Sequence, residues 1–365
     1  MQEFAFVMDQ QVGLRTQAIN FERVVSSDSS VTAKWVPVRY ENGGLLSKIP
    51  GLPSSIKGTM RGISEIRNGL GDARKYDGVL WATWAAKSVH DLVSASPAFM
   101  LMDMTPKQME EMGHHYGYTS KRAKFMGGWK HRATEKIYQE AKHIFPWNKW
   151  VAKSLIEDYG VPAEKITPVS PGVDVNLYSP NPEAKKNDGV VRVLFVGGDF
   201  LRKGGDLLLR WMSEISEDVK VELHIVTRDE VVPQAGVVVH KNLGNNSAEL
   251  VNLYQMCDVF ALPTRADCYS LVSLEALAAG MPVVVTKMGG IPEIFAGTNT
   301  GRLIEAEDYD ALKANLDELV TNHELRTQMG VEARKTAVDR FDREKNLQLV
   351  LGIMKSLGEK HAYAA

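Results

Sequence analysis

Three clusters in the second half of the chain hold charged residues and glycines at spacings that suit an anionic, hydroxyl-bearing ligand. The first is Gly197-Gly198-Asp199-Phe200-Leu201-Arg202-Lys203-Gly204-Gly205-Asp206, between the apolar run Val191–Val196 and a helical stretch around Leu207–Ile215. Glycines let backbone amides close on a ligand, and a helix N-terminus favours an anion. Arg202 and Lys203 add charge-assisted donors of the kind a diphosphate takes. The glycine spacing is not the dinucleotide fingerprint, and no Gly-Lys-Ser/Thr follows as in a P-loop. Taken alone, the cluster reads equally as a strand-to-helix turn with two solvated bases. The second cluster runs from Pro263 to Val285 and carries Asp267, a helix start near Ser270, and Glu275. Amides at that helix start would face the loop, and the two acids could accept hydrogen bonds from ligand hydroxyls. A capping Asp with a solvated Glu is the commoner meaning of such a pair. The third cluster, Gly289-Gly290-Ile291-Pro292-Glu293-Ile294, is a turn with Pro near a helix start.

Strands that alternate with helices must position these clusters. In the second half, Val191–Val196, Val219–Thr227, Gly236–His240, Asp258–Leu262, Pro282–Thr286 and a last short Gly301–Ile304 read as strands. In the first half, Glu3–Met8, Lys34–Arg39, Gly78–Trp84 and Phe99–Met102 do so, with helical period over Ser54–Asn68 and Pro106–His115. Apolar strands alternating with helices predict parallel sheets covered on both faces, hence an α/β chain of two doubly wound, Rossmann-like domains. The Pro-rich polar stretch Ser179–Gly189 marks the boundary, giving domains 1–179 and 180–341. Helices over Ala306–Thr321, Glu324–Asp339 and Asp342–Gly358 close the chain, and the last, about 342–365, is expected to pack back on the first domain.

Composition removes other classes. With 365 residues, 44% hydrophobic and 24% charged, the chain can bury large cores without staples. A net charge of −2 disfavours a uniformly basic nucleic-acid binder, so no nucleic-acid partner is expected. Two cysteines, Cys257 and Cys268, exclude a disulfide scaffold and fit a reducing compartment. The N-terminus carries Glu3 where a signal peptide has bases, and no apolar run reaches transmembrane length; a cytoplasmic location is expected. The charge is uneven: 22 basic against 18 acidic residues over 1–180, and 21 against 27 beyond. Metal is not expected. The nine histidines show no ligand spacing, and Asp308-Tyr309-Asp310 opens a helix and reads as capping.

Together these motifs resemble the family 4 retaining glycosyltransferases of GT-B architecture, in which two Rossmann-like domains face a cleft. The family's glycine turn with Lys-Gly is matched by Lys203-Gly204. Its acid, seven residues, then Glu-Ala is matched by Asp267 and Glu275-Ala276, and Gly-x-Pro-Val-Val by Gly280–Val284. The Gly289–Glu293 turn matches as well, and Tyr159–Ile166 with Pro171-Gly172-Val173-Asp174 resembles the segment leading to the interdomain hinge. The resemblance implies a metal- and cofactor-independent hexosyltransferase whose substrate is a nucleoside diphosphate sugar. Lys203, with Arg202 nearby, would hold the diphosphate. Asp267 would bind the donor sugar, helped by the amides of Ser270, Leu271 and Val272, and Glu275 would accept the ribose hydroxyls. Thr227-Arg228 and Asn242-Leu243 would lie beside the base. Gly13, on the turn after the first strand, would let the other lobe approach the phosphates.

Three departures qualify this match. Gly198 stands where the family often has Arg, and Arg202 is expected to supply that charge. Asp267 stands where Glu is usual. Asp103, after the strand ending at Met102, stands where the family often has His; it is either a catalytic, sugar-binding residue or an N-cap one turn before Lys107. On the acceptor side, Lys121–Lys136 holds six Lys or Arg against one Glu, with Phe125, Met126 and Trp129 interleaved. Such a stretch can lie on an anionic membrane at its inner face, cradle an acidic acceptor, or be a solvated helix face that packs Trp129 inward. The acceptor is a carbohydrate, lipid or small molecule. The competing readings are a catalytically silent sugar-nucleotide-binding subunit and a related epimerase or phosphorylase.

Overall fold

The computed structural model describes residues 1–10, 12–41, 53–113, 123–216 and 218–358, with backbone alone for 12–13, 54–55 and 123–130. The described residues form two compact units. Residues 1–111, 123–171 and 344–358 make the first, and 172–343 with 112–113 the second. The chain therefore changes unit at Pro171/Gly172, upstream of the Pro-rich stretch. The cause is hydrogen bonding: the Val173 amide donates to the Phe341 carbonyl (2.8 Å) and the Arg343 amide to the Val173 carbonyl (3.1 Å). Arg343 also pairs with Asp174 at 2.9 Å, tying 172–178 to the end of the second unit.

The first unit holds five parallel strands, β1 (Gln2–Asp9), β2 (Val31–Val38), β3 (Gly78–Ala82), β4 (Ala98–Met102) and β5 (His143–Pro146), in the order β2-β1-β3-β4-β5. Its helices are α1 (Val12–Ser26), α2 (Ser54–Leu70), α3 (His90–Val93), α4 (Pro106–Glu111), α5 (Ala123–Glu140) and α6 (Lys149–Glu157). The sheet is buried on both faces, with Phe4–Met8 and Val79–Ala82 inside, which is why these strands read as unbroken apolar runs. Strand β5 escapes sequence reading because it is short, opens on His143 and ends on Pro146. Proline is tolerated there because β5 lies at the sheet edge. Helix α4 ends at Glu111, earlier than periodicity predicts; His114 and His115 lie outside the described residues.

The second unit holds six parallel strands, β6 (Val191–Val196), β7 (Val221–Val226), β8 (Val237–His240), β9 (Val259–Leu262), β10 (Val283–Thr286) and β11 (Gly301–Ile304), ordered β11-β10-β9-β6-β7-β8. The helices α7 (Gly205–Glu214), α8 (Ala248–Met256), α9 (Leu271–Ala278), α10 (Ile291–Phe295), α11 (Tyr309–Thr321) and α12 (His323–Arg340) cover it, and α13 (Arg343–Leu357) ends the described chain. Helix α7 buries Leu208, Trp211 and Met212 on one stripe, and the Trp211 Nε1 donates to Asp317 Oδ1 at 2.9 Å.

Each sheet winds in both directions from a central strand pair, and the crevice at that reversal is where such folds take ligands. In the first unit the pair is β1 and β3; in the second it is β6 and β9. The carboxyl ends of β6 and β9 run directly into residues 197–204 and 263–270. Two of the three sequence clusters thus share one crevice.

Candidate active site

Lys203 and Asp267 meet at this crevice, with Nζ 2.5 Å from Oδ2 and both side chains largely covered. Two further arginines lace the loops together. The Arg202 Nη1 donates to the Ala266 carbonyl (2.8 Å) and its Nε to Asp199 (3.0 Å), while the Arg265 amide donates to the Arg202 carbonyl (2.8 Å). Arg265 in turn binds Asp206 through Nη1 (2.6 Å) and Nη2 (2.9 Å). Arg202, expected from the sequence to supply the charge that Gly198 lacks, braces one loop against the other. Gly204, at the N-cap of α7, has φ +79°, and a Cβ there would stand 2.0 Å from the Pro263 carbonyl oxygen. Glycine is what lets the turn close on the neighbouring strand's end.

Helix α9 brings the other acid. Ser270, not Asp267, caps it: the Ser270 hydroxyl accepts from the Ser273 amide at 3.3 Å. Asp267 is thus released from the capping role and is held by Lys203. The Leu271 and Val272 amides open the helix at the loop, in positions that lack intrahelical partners. Glu275 lies on the same helix with part of its surface open, yet its carboxyl is enclosed. Tyr254 of α8 donates to it at 2.6 Å, Tyr178 stands on its other side, and the Tyr178 hydroxyl donates to Asn246 Oδ1 at 3.1 Å. Burial pushes the Glu275 carboxyl up to about 7, and the two phenols hold it from rising further. The same carboxylate, with burial, pushes both phenols up. Sequence reading missed Tyr178 and Tyr254; as buried aromatics they carry the pattern of ordinary core residues.

Beyond β7, the Thr227 amide donates to the His240 carbonyl at 3.3 Å, and Asp229 accepts the Phe200 amide at 2.7 Å. Arg228, between them, is carried back over the glycine turn. A Cβ on Gly198 would lie 2.9 Å from its Nη2 and 3.0 Å from its Nε. Asn242 (φ +61°) and Leu243 stand in the exposed loop after β8.

In the first unit, Asp103 follows β4 and lines a small, mostly apolar pocket of about 50 Å³. Trp81, Trp84, Lys87, Met100 and Tyr138 are among its walls. Asp103 is not the cap of α4. Thr105 is: its hydroxyl accepts from the Gln108 amide (3.3 Å) while Gln108 Oε1 takes the Thr105 amide (3.0 Å), a reciprocal capping box. Beside the pocket, at the reversal of this sheet, buried Asp9 accepts from Thr83 (2.6 Å), Tyr40 (2.8 Å) and the Trp84 amide (3.3 Å). Burial raises its carboxyl. Its signal in the sequence was a lone acid ending an apolar strand. Gly13 falls in the first turn of α1, not on a free turn before it.

Of the basic stretch 121–136, Lys121 and Arg122 lie outside the described residues, and Ala123–Lys136 run along α5. Among the described residues no helix is long and apolar enough to cross a membrane, and no group of three or more His, Cys, Asp or Glu is placed to hold a metal. Asp308 caps α11, accepting the Ala311 amide at 3.0 Å.

Comparison with known proteins agrees with this geometry. Residues 181–336 match the family described as Glycosyl transferases group 1. The chain is 27% identical over 217 residues to the MMP alpha-(1->4)-mannosyltransferase of Mycolicibacterium hassiacum, covering 57% of this chain and 52% of that protein. It is 30% identical over 236 residues to the GDP-mannose-dependent alpha-(1-6)-phosphatidylinositol monomannoside mannosyltransferase of Mycolicibacterium smegmatis, covering 57% and 61%. The matches thus span about half the length of these curated relatives. Among solved structures, sucrose-phosphate synthase of Thermosynechococcus elongatus has a similar fold (TM-score 0.77, 14% identity, 98% of this chain and 99% of that one). So does Anabaena HepE, solved with UDP and glucose (TM-score 0.71, 15% identity, 98% and 100%). The two Rossmann-like units are therefore those of the GT-B fold.

Proposed function

We propose that this chain, whose residues 181–336 match the group 1 glycosyl transferases, is a retaining hexosyltransferase using a nucleoside diphosphate sugar. The observation that carries the reading is the Lys203–Asp267 pair, set at the strand reversal between the turn before α7 and the N-terminus of α9. Lys203 and the α7 amides bind the donor diphosphate. Asp267 and the amides of Ser270, Leu271 and Val272 hold the transferred sugar. Glu275 accepts the ribose hydroxyls, and Thr227, Asn242 and Leu243 border the base. Fixed donors aimed at the leaving diphosphate stabilise its developing charge without a metal. The acceptor hydroxyl enters the Asp103 pocket of the first unit, and its walls suit an acceptor with an apolar portion.

GDP-mannose is the first donor to try, because a relative is named for it. The test is nucleoside diphosphate release from a donor panel, with and without sugar and lipid acceptors, and with a chelator. Acceptor-dependent, chelator-insensitive release supports the reading; donor binding without turnover under every acceptor replaces it with a binding subunit. The stretch Lys121–Lys136 is proposed to contact anionic membrane, which co-sedimentation with phosphatidylglycerol vesicles tests.

A further inference from the structure

Three cations stand around the glycine turn after β6, and two are committed. Lys203 is paired with Asp267, and Arg202 is spent on Asp199 and the Ala266 carbonyl. Arg228 is different. It is exposed, and among the described residues no hydrogen bond or ion pair holds its guanidinium. Its backbone is nevertheless pinned. The Thr227 amide is bound to β8, the Gly197 amide donates to the Val226 carbonyl (2.9 Å), and the Asp229 carboxylate takes the Phe200 amide. The loop 227–229 is thereby fastened to both ends of the turn, and the guanidinium rests over Gly198. Any side chain at 198 would meet it at 2.9–3.2 Å. Lys203 stands against the adjacent glycine: a Cβ on Gly197 would lie 2.9 Å from the Lys203 Cβ. An unpaired guanidinium and an ammonium thus flank two successive glycine backbones, at the entrance to a ten-residue helix. That is a diphosphate-binding arrangement in chemistry, with the planar fork of Arg suited to two phosphate oxygens.

We propose that Arg228 is a catalytic residue that binds the donor diphosphate and stabilises it as leaving group, and that Gly198 exists to admit it. The inference rests on the glycosyl-transfer reading and moves Arg228 from the base, where the sequence placed it, to the phosphates. In the step it serves, the bond between the anomeric carbon and the phosphate oxygen breaks, and its electron pair stays on the diphosphate. The acceptor oxygen bonds to the anomeric carbon, and its proton passes to the departing diphosphate. Arg228 meets the charge that this heterolysis leaves.

The experiment has a binding arm and a turnover arm. By calorimetry on the full chain, Arg228→Ala is expected to weaken GDP and UDP at least tenfold while leaving guanosine and uridine unchanged. Equal weakening of nucleoside and nucleotide would place Arg228 at the base and overturn the proposal. In turnover, removal of one preorganised donor is expected to lower kcat about 100-fold, with Arg228→Lys between the two. The double variant G198R/R228A, which returns a guanidinium from the other side of the same space, is expected to recover at least tenfold over R228A. No recovery, with nucleotide binding restored in neither variant and an unchanged melting temperature, counts against a charge role. If the wild type releases no nucleoside diphosphate from any donor, the transferase reading fails and the binding arm still decides the residue. If the wild type binds no nucleotide, both fail.

Discussion

Replacing Glu275 with Gln should make the protein more stable above neutral pH and, on the proposed function, weaken nucleotide binding. The carboxyl is enclosed by Tyr178, Tyr254 and the body of α9, which raises it from 4.5 to about 7. Between those values the native state keeps a proton that the unfolded chain has released. Stability must therefore fall as pH rises through that window, and the fall ends above about 7. At about 1.36 kcal/mol per pH unit, the whole descent amounts to about 3 kcal/mol. Part of the residue surface is open to water, so this is an upper figure. Glutamine keeps the shape, still accepts from the Tyr254 phenol, and has no charge to desolvate. The assay is chemical denaturation of wild type and variant at pH 5 and pH 8, since comparing the two proteins cancels the other titrating groups. Near-equal stability at pH 5 and an advantage for the variant of about 1–3 kcal/mol at pH 8 are expected. A variant as pH-sensitive as wild type, or less stable at pH 8, would refute the enclosure argument. Calorimetry supplies the functional half: if ribose hydroxyls donate to the ionised carboxylate, wild-type nucleotide affinity should fall about tenfold per pH unit below 7, and the variant should be weak and flat.

Other consequences are equally direct. Gly204→Ala forces a left-handed residue with its methyl against the Pro263 carbonyl, so a loss of more than about 2 kcal/mol is expected, and an unshifted melting temperature contradicts it. Lys203→Met leaves Asp267 covered and unpaired, expected to cost about 3–5 kcal/mol. Adding Asp267→Asn should restore most of that stability but no transfer, as melting and product-release assays would show. Thr105→Ala should cost about 1 kcal/mol as a lost cap. Asp103→Asn should leave the melting temperature in place and lower transfer about tenfold or more; the reverse pattern would return Asp103 to a structural role.

Much of this site could be read locally. The glycine turn, the acids at 267 and 275, and the strands before them are contiguous signals, because a buried parallel strand must be apolar along its length and the turn after it must carry the small and polar residues. The caps of α4 and α9 were decided by neighbouring residues. Thr105 and Ser270, not Asp103 and Asp267, took the capping positions. Strand β5 stayed hidden because four residues beginning in His and ending in Pro carry no period.

From the sequence alone came the alternation of strand and helix, the two-domain α/β class, and the types of residue that would meet an anionic, hydroxyl-bearing ligand. These follow from periodicity and from backbone permissiveness, which are properties of neighbouring residues. Only the tertiary structure decided which of those residues act together. The order of strands sets β6 beside β9, so that Lys203 reaches Asp267 across 64 positions and Arg202 is drawn off into a brace. Packing of α8 against α9 encloses Glu275 with Tyr254 and moves its proton into the neutral range. Fastening of the loop after β7 carries Arg228 over Gly198. Each of these depends on hydrogen bonds and burial between segments distant along the chain, and no local pattern encodes which distant partner a charge will find.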